Sequence, residues 1–203
     1  APVTHAYRKG SLNPEGDAYC SEQVIDRTDA PSIPIQPTSK EQPMGDGSTQ
    51  HDGLSSLGQS PVAQDIRTIY VVGAHRYQEQ HLFNRLFPNL ERIYLFEPLK
   101  ELAQALMRIE AADPRVRVFP FALSDQSGEQ DFYVTNNDGE SSSLLRLGTH
   151  REIFPHVKEV RVTKVQCRTL DQVIQEYRLP MPDLLLLDVQ GAEYKILSSV
   201  SAP

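Results

Sequence analysis

Four consecutive leucines, Leu184–Leu187, are the sequence feature that most constrains the fold of this chain. A strand with apolar side chains on both faces must be covered on both faces, and such strands lie in the centre of parallel sheets. Asp188 follows the run directly and gives the strand a polar end. The run therefore predicts a central strand with packed layers above and below it.

The preceding segments alternate between strand and helix patterns. Residues 66–72 are rich in β-branched side chains, and residues 78–87 carry apolar side chains at helical spacing. The pattern continues as a strand, a helix and a strand at 92–96, 99–111 and 116–121. Short connections of this kind form right-handed crossovers between parallel strands. We therefore predict an α/β fold with a mostly parallel sheet and helices on both faces.

Two more strands and a helix are predicted between the strand at 116–121 and the run of leucines. Residues 130–135 and 160–166 alternate between apolar and polar side chains, as half-buried strands do, and a polar loop at 136–149 lies between them. Thr169 is the expected N-cap of a short helix at Leu170–Tyr177.

Residues 1–62 differ in composition, being rich in Pro, Gly, Ser, Asp and Gln without a sustained apolar period. The prolines at 33–37 impose extended backbone, and residues 45–48 and 55–60 have the composition of a flexible linker. Such a segment buries too little apolar surface to offset the entropy of ordering it. We predict a disordered segment or linker at 1–62, with a docking motif as the alternative, and a folded domain at 63–203.

Charge and composition exclude several partners. The formal net charge of −7 argues against nucleic acid or an anionic membrane as the main partner. No apolar run approaches the roughly 18 residues of a membrane span. Cys20 and Cys167 lie far apart, which argues against a disulfide framework and favours a reducing cytoplasm.

Ligands of open α/β sheets bind at the carboxyl ends of the strands, which draws attention first to Gly73 and Glu97. Gly73 permits a tight turn and the close approach of a ligand, although no GxGxxG motif is present and a purely structural turn explains it equally well. Glu97 is placed to accept hydrogen bonds from the ribose hydroxyls of an adenine nucleoside. A solvated carboxylate is the alternative, which the flanking Phe96 and Pro98 disfavour.

Carboxylates also follow the later strands. Asp125, beside Ser124, could contact an adenine amino group or could open the turn at 125–128. Asp188 is expected to face the cleft, and Glu193 to stand in the first turn of the next helix. Either could act as a general base or bind a divalent metal ion. Glu193 could instead stabilise the helix dipole.

The histidines add no metal site to this picture. His75, His81, His150 and His156 lack the spacing of metal ligands, and we expect each to be an ordinary polar residue.

These residues, in this order, resemble the FkbM-type methyltransferases over roughly residues 66–199. The segments that carry the resemblance are Val-Gly-Ala at 72–74, Phe-Glu-Pro at 96–98, Ala-Leu-Ser-Asp at 122–125, Ser-Ser-Leu at 142–144, Thr-Leu-Asp at 169–171 and Leu-Asp-Val-Gln-Gly-Ala-Glu at 187–193. The resemblance implies a Rossmann-like class I methyltransferase fold. It also implies S-adenosyl-L-methionine as the cofactor and O-methylation of a sugar or natural product, so that the acceptor is a small molecule or a glycan.

The resemblance further implies the role of each site residue. The expected cofactor-binding residues are Gly73 and Ala74 at the methionine end, Glu97 at the ribose, Ser124 and Asp125 at the adenine, and Gln190 beside the methyl group. Asp188 and Glu193 are the expected catalytic residues, one of which would take the proton of the acceptor hydroxyl, with or without a divalent ion. The loop at 136–149 is expected to cover the acceptor.

Two positions depart from the family's usual pattern. Val71 stands where the family usually has Asp, which removes an expected partner of the cofactor's ammonium group. Tyr77 stands where the family usually has Gly and is expected to narrow the loop. A class I domain has about seven strands, so we expect the last three to lie beyond Pro203, which would leave a C-terminally truncated domain with an exposed sheet edge.

Two other functions are compatible with the pattern. An NAD-dependent oxidoreductase would also use Glu97, although the missing GxGxxG motif counts against it. A non-catalytic binding module that keeps the fold would explain Val71 and Tyr77.

Overall fold

A computed structural model of the protein describes residues 5–8, 49–148 and 155–200, and the fold is that of these residues. The strands are β1 (His5–Arg8), β2 (Thr68–Val72), β3 (Arg92–Phe96), β4 (Val116–Phe119), β5 (Ala122–Leu123), β6 (Gly128–Thr135), β7 (Glu159–Arg168) and β8 (Leu184–Leu187). The helices are α1 (Thr49–Gly58), α2 (Gln80–Leu86), α3 (Lys100–Ala112), α4 (Leu170–Tyr177) and α5 (Glu193–Leu197), with a 3-10 helix at Pro61–Gln64.

The larger sheet has the strand order β1-β8-β2-β3-β4, and its four strands β8, β2, β3 and β4 are all parallel. Val72 pairs with Phe96 on one side and with Leu187 on the other. The carboxyl ends of β2, β3 and β8 therefore lie level, and the residues that follow them meet at one edge. The predicted parallel sheet is confirmed.

Both faces of this sheet are covered. Ile69 and Val71 point into a core that includes side chains of α1, α2 and α3, whereas Tyr70 and Val72 point into a core that includes side chains of α4 and α5. The leucines of β8 alternate in the same way, and all four are buried. This is the arrangement that the run of leucines predicts, and the α/β fold with helices on both faces is confirmed.

The two predicted alternating strands form a separate sheet with the order β5-β7-β6. Strands β6 and β7 are antiparallel, while β5 runs parallel to β7. Phe132 and Val165 are buried on one face, and Val160 and Val162 are exposed. This small sheet stands beside the carboxyl ends of the parallel strands and carries the loop at 136–148.

Part of the segment at 1–62 forms regular structure, where the sequence predicts none. Strand β1 pairs antiparallel with β8, so the sheet edge expected to be exposed is occupied. Leu54 of α1 is 6% exposed, and both Leu54 and Ala63 belong to the main core. Folded structure therefore begins before residue 63. The side chain of Leu54 packs in the core, although the polar residues around it in the sequence give no apolar pattern. The linker prediction at 55–60 is wrong, because residues 55–58 belong to α1 and Ser60 is bound to the carbonyl of Leu57. The segments at 33–37 and 45–48 lie outside the described residues, and the division into two domains remains a prediction.

None of the described helices combines the length and the hydrophobicity that a membrane span requires.

We expect Leu54→Ala to lower the free energy of unfolding by about 2 kcal/mol, because it removes a buried side chain from the core. Urea denaturation measures this change. Val160→Ala, at a valine that is 62% exposed, serves as the control and should change stability by less than about 0.5 kcal/mol. Equal stability of the two variants would show that α1 contributes nothing to the core.

Candidate functional site

A cleft of about 520 Å³, partly open to solvent, lies at the carboxyl ends of β2, β3 and β8. The segments that form it are the loop after β2, the turn after β3, strand β5, the loop at 136–148 and the segment after β8. This is the position that the strand-end rule predicts for a ligand site.

Glu97 lies in the wall of this cleft and is only 4% exposed. Each of its carboxylate oxygens accepts a backbone hydrogen bond: Oε1 from the N–H of Leu99 at 2.8 Å, and Oε2 from the N–H of His75 at 2.9 Å. Burial raises the pKa of Glu97, and these two N–H groups lower it in part. The carboxylate is therefore fixed in position, and each oxygen retains a lone pair for a ligand.

Gly73 allows the backbone of the loop after β2 to pass close to β8. Its φ of +80° lies in the left-handed region, and a Cβ at this position would overlap the carbonyl oxygen of Asp188. Gly73 lines the cleft, as the ligand hypothesis requires, but close packing is itself a sufficient reason for a glycine here. Ala74 does not line the cleft, because its side chain points into the main core.

Asp188 lines the cleft, whereas Glu193 does not. The Oδ1 atom of Asp188 accepts a hydrogen bond of 2.6 Å from Nε2 of Gln190, so Gln190 orients this carboxylate from outside the lining of the cleft. Glu193 is buried in the first turn of α5, where its Oε1 accepts a hydrogen bond from the N–H of Gly191. This geometry favours the helix-start interpretation of Glu193 over the catalytic one.

Ser124 and Asp125 also lie outside the lining of the cleft, which includes Leu123 of β5 instead. Ser124 is fully buried, and its hydroxyl donates to Oδ1 of Asp125 at 2.9 Å. Lys195 of α5 approaches the same oxygen at 3.3 Å. The Ser124 hydroxyl and the Lys195 ammonium hold the pKa of Asp125 below its usual value. The contacts of Ser124 and Asp125 therefore join the end of β5 to α5. Their position outside the cleft lining gives no support to the predicted contact with an adenine.

The loop at 136–148 forms one wall of the cleft. Gly139, Glu140, Ser142 and Leu144 line it. The loop is attached by the hydroxyl of Ser143, which donates to the carbonyl of Val189 at 2.8 Å. A second attachment joins the imidazole of His75 to the carbonyl of Asp138 at 3.0 Å.

Sequence reasoning missed several residues of the cleft. Glu140 lies in the loop expected to cover the acceptor but was not singled out there, and His75 was expected to be an ordinary polar residue. The apolar walls formed by Leu99, Phe132 and Leu144 come from three separate segments. Their apolar type signalled burial, but only the packing of the small sheet against the strand ends places them in the cleft.

Within the described residues, no three His, Cys, Asp or Glu side chains converge in a way that could hold a metal ion.

The sequence profile of the methyltransferase FkbM domain matches residues 72–202, and that range contains the strand ends, the small sheet and the cleft loop. The chain belongs to the FkbM methyltransferase family. The resemblance inferred from the motifs is thereby confirmed.

Two known proteins are similar to this chain over part of their length. The 2-O-methyltransferase NoeI of Sinorhizobium fredii is 29% identical over 133 residues, which are 63% of this chain and 54% of NoeI. The chain therefore spans about half the length of that relative. The crystal structure of an FkbM methyltransferase from Methylobacillus flagellatus KT aligns over 67% of this chain and 29% of that one, with 14% identity and a TM-score of 0.41.

The two departures from the FkbM pattern have structural explanations. Tyr77 adopts a φ of +54°, the left-handed conformation for which the family's usual glycine is suited. Its ring packs into the main core against Phe83, at 5.8 Å between centroids, and is not part of the cleft lining. The expected narrowing of the loop stays a prediction. Val71 is 2% exposed in the same core, and its side chain is not part of the cleft lining.

We expect Gly73→Ala to destabilise this FkbM domain by about 2–4 kcal/mol, from left-handed strain and from overlap with Asp188. Chemical denaturation measures the loss. Gly53→Ala is the matched control, because its Cβ would meet nothing within 4 Å and alanine favours the helix, so stability should be unchanged or slightly higher. A Gly73→Ala protein as stable as the wild type would contradict the close approach of the two loops.

Proposed function

We propose that this FkbM-family chain forms the cofactor-binding part of an S-adenosylmethionine-dependent methyltransferase that methylates a hydroxyl group of a sugar or natural product. The observation that carries the proposal is the charge of the cleft. Three carboxylates, those of Glu97, Glu140 and Asp188, line it, and none of the described lining residues is a lysine or an arginine.

This charge discriminates between the two cofactors that a Rossmann-like sheet serves. S-adenosylmethionine carries a positive sulfonium and a positive ammonium, which carboxylates attract. The diphosphate of NAD is negative and would meet carboxylates without a compensating cation. The cleft therefore supports the methyltransferase over the oxidoreductase.

The remaining lining suits an adenosine. Glu97 would accept hydrogen bonds from the ribose hydroxyls, since its two backbone hydrogen bonds already orient both oxygens. Leu123, Phe132 and Leu144 offer apolar surface on the side of the cleft formed by the small sheet, where an adenine ring would be covered.

Asp188 is the residue we assign to proton removal. S-adenosylmethionine, when bound, supplies a methyl group already activated by its sulfonium. The protein then has to position the acceptor hydroxyl and take its proton. Asp188 lines the cleft and is oriented by Gln190, whereas Glu193 is engaged at the start of α5. A non-catalytic module would have no need of an oriented carboxylate here, which favours the enzyme.

The acceptor is proposed from the relative. NoeI is a 2-O-methyltransferase, which supports a hydroxyl acceptor for this chain, and we propose a sugar or glycan.

Dependence on a divalent ion and a cytoplasmic location stay predictions. Cys167, which contributed to the latter, is a buried free thiol in the structure, and Cys20 lies outside the described residues.

We expect the protein to bind S-adenosylhomocysteine measurably by calorimetry and to bind NAD much more weakly. Glu97→Ala should weaken S-adenosylhomocysteine binding by about tenfold to a hundredfold, because it removes the proposed acceptor of the ribose hydroxyls. Glu129→Ala, at an exposed glutamate outside the cleft, is the control. Binding of NAD in preference to S-adenosylhomocysteine would overturn the proposal.

We expect Asp188→Asn to lower kcat by about a hundredfold or more while leaving S-adenosylhomocysteine affinity within about threefold. The assay is methyl transfer from labelled S-adenosylmethionine to sugars with a free 2-hydroxyl group. Glu193→Gln is the matched comparison and should affect stability more than kcat. If Glu193→Gln lowered kcat more than Asp188→Asn did, Glu193 would be the residue that takes the proton.

A further inference from the structure

His75 occupies a position in the cleft that its residue type alone does not explain. It follows Gly73 and Ala74, lines the cleft, and donates its backbone N–H to Oε2 of Glu97. Its φ of +46° is left-handed, which is uncommon outside glycine, although histidine is among the more tolerant residues. This conformation directs both its backbone N–H and its ring to partners beside the cleft.

The hydrogen bond to the loop at 136–148 fixes the tautomer of the imidazole. The Nε2 atom of His75 lies 3.0 Å from the carbonyl oxygen of Asp138. A carbonyl oxygen can only accept, so Nε2 must carry the proton. In the neutral imidazole, Nδ1 is therefore a hydrogen-bond acceptor with a free lone pair.

That acceptor is buried and has no hydrogen-bond partner among the described residues. An unsatisfied buried acceptor is costly, and native proteins rarely retain one without a functional reason. His75 lines the cleft together with Glu97, and its backbone N–H binds the same carboxylate, so a ligand held by Glu97 lies next to His75.

The strand order indicates which group of the ligand lies near Nδ1 of His75. If Glu97, after β3, holds the ribose, the apolar wall at Leu123 and Phe132 takes the adenine on one side. His75 follows β2, which lies between β3 and β8 in the sheet, and the segment after β8 begins with Asp188. The sulfonium must approach Asp188, so the methionine part of the ligand extends on the side of His75.

We propose that Nδ1 of His75 accepts a hydrogen bond from the ammonium group of the methionine part, so that His75 is a cofactor-binding residue of this cleft. This inference rests on the proposed function. It supplies a partner for the ammonium in a chain where Val71 replaces the usual carboxylate and buries its side chain in the core. The same ring would join the cofactor to the loop wall, since its Nε2 holds Asp138.

Two amide substitutions separate the nitrogens of the ring. In His75→Asn the amide stands near the place of Nδ1, keeps an acceptor there and loses the bond to Asp138. In His75→Gln the amide reaches towards the place of Nε2, keeps the loop contact and loses the acceptor. Asparagine also tolerates the left-handed conformation. By calorimetry, His75→Gln should weaken S-adenosylhomocysteine binding by about tenfold or more, and His75→Asn by less than about threefold.

Methylthioadenosine, which has the adenine and ribose but no ammonium, is the second ligand. Its affinity should be the same for wild type and His75→Gln, so the ratio of the two dissociation constants changes in the variant. Partial misfolding would weaken both ligands alike and leave that ratio unchanged. A larger loss in His75→Asn would show that His75 acts only by holding the loop, and would overturn the proposal.

Other outcomes are equally decisive. An equal loss of both ligands in folded His75→Gln, checked by thermal unfolding, would assign Nδ1 to the ribose instead. Normal binding by both variants would overturn this inference and leave the proposed function intact. Failure of the wild type to bind either ligand would overturn both.

Discussion

The structure depends on the need to cover both faces of β8 and β2. Strands whose side chains are apolar on both faces require helices above and below, and this requirement leads to parallel neighbours joined by crossovers. The pairing of Val72 with Phe96 and Leu187 then brings three strand ends level. Gly73, Glu97 and Asp188 follow from those ends, so the site is a direct consequence of how the core is buried.

Electrostatics gives this edge its chemical character. Glu97 is buried at a strand end and retained there by the N–H groups of Leu99 and His75, which partly offset the cost of burying its charge. With Glu140 and Asp188 it makes the cleft acidic. This acidic lining is the basis on which we propose a cationic cofactor rather than one that carries a diphosphate.

The small sheet contributes the part of the cleft that faces the parallel strands. Two hydrogen bonds hold its loop in place. Ser143 of the loop donates to the carbonyl of Val189, and the carbonyl of Asp138 in the loop accepts from His75. Because each bond joins a different strand-end loop to the same wall, the position of the wall depends on both. The proposed role of His75 would connect cofactor binding to this wall through a single imidazole ring.

Much of the fold and part of the site could be predicted from the sequence. The periodicity of the apolar residues determined the order of strands and helices, and the strand-end rule placed Glu97 and Asp188 at the cleft correctly. The motifs around them were sufficient to indicate the FkbM family. Local patterns succeed here because strand and helix periods are short-range properties of the chain.

Only the tertiary structure decided which motif residues face the cleft. Ala74 points into the core, and Ser124 binds Asp125, which in turn pairs with Lys195. Glu193 accepts a hydrogen bond from Gly191 at the start of its own helix. Packing likewise brought α1 into the core and turned the ring of Tyr77 away from the cleft. The direction of a side chain beyond a strand end depends on turn geometry and on partners distant in sequence, and neither is encoded in local spacing.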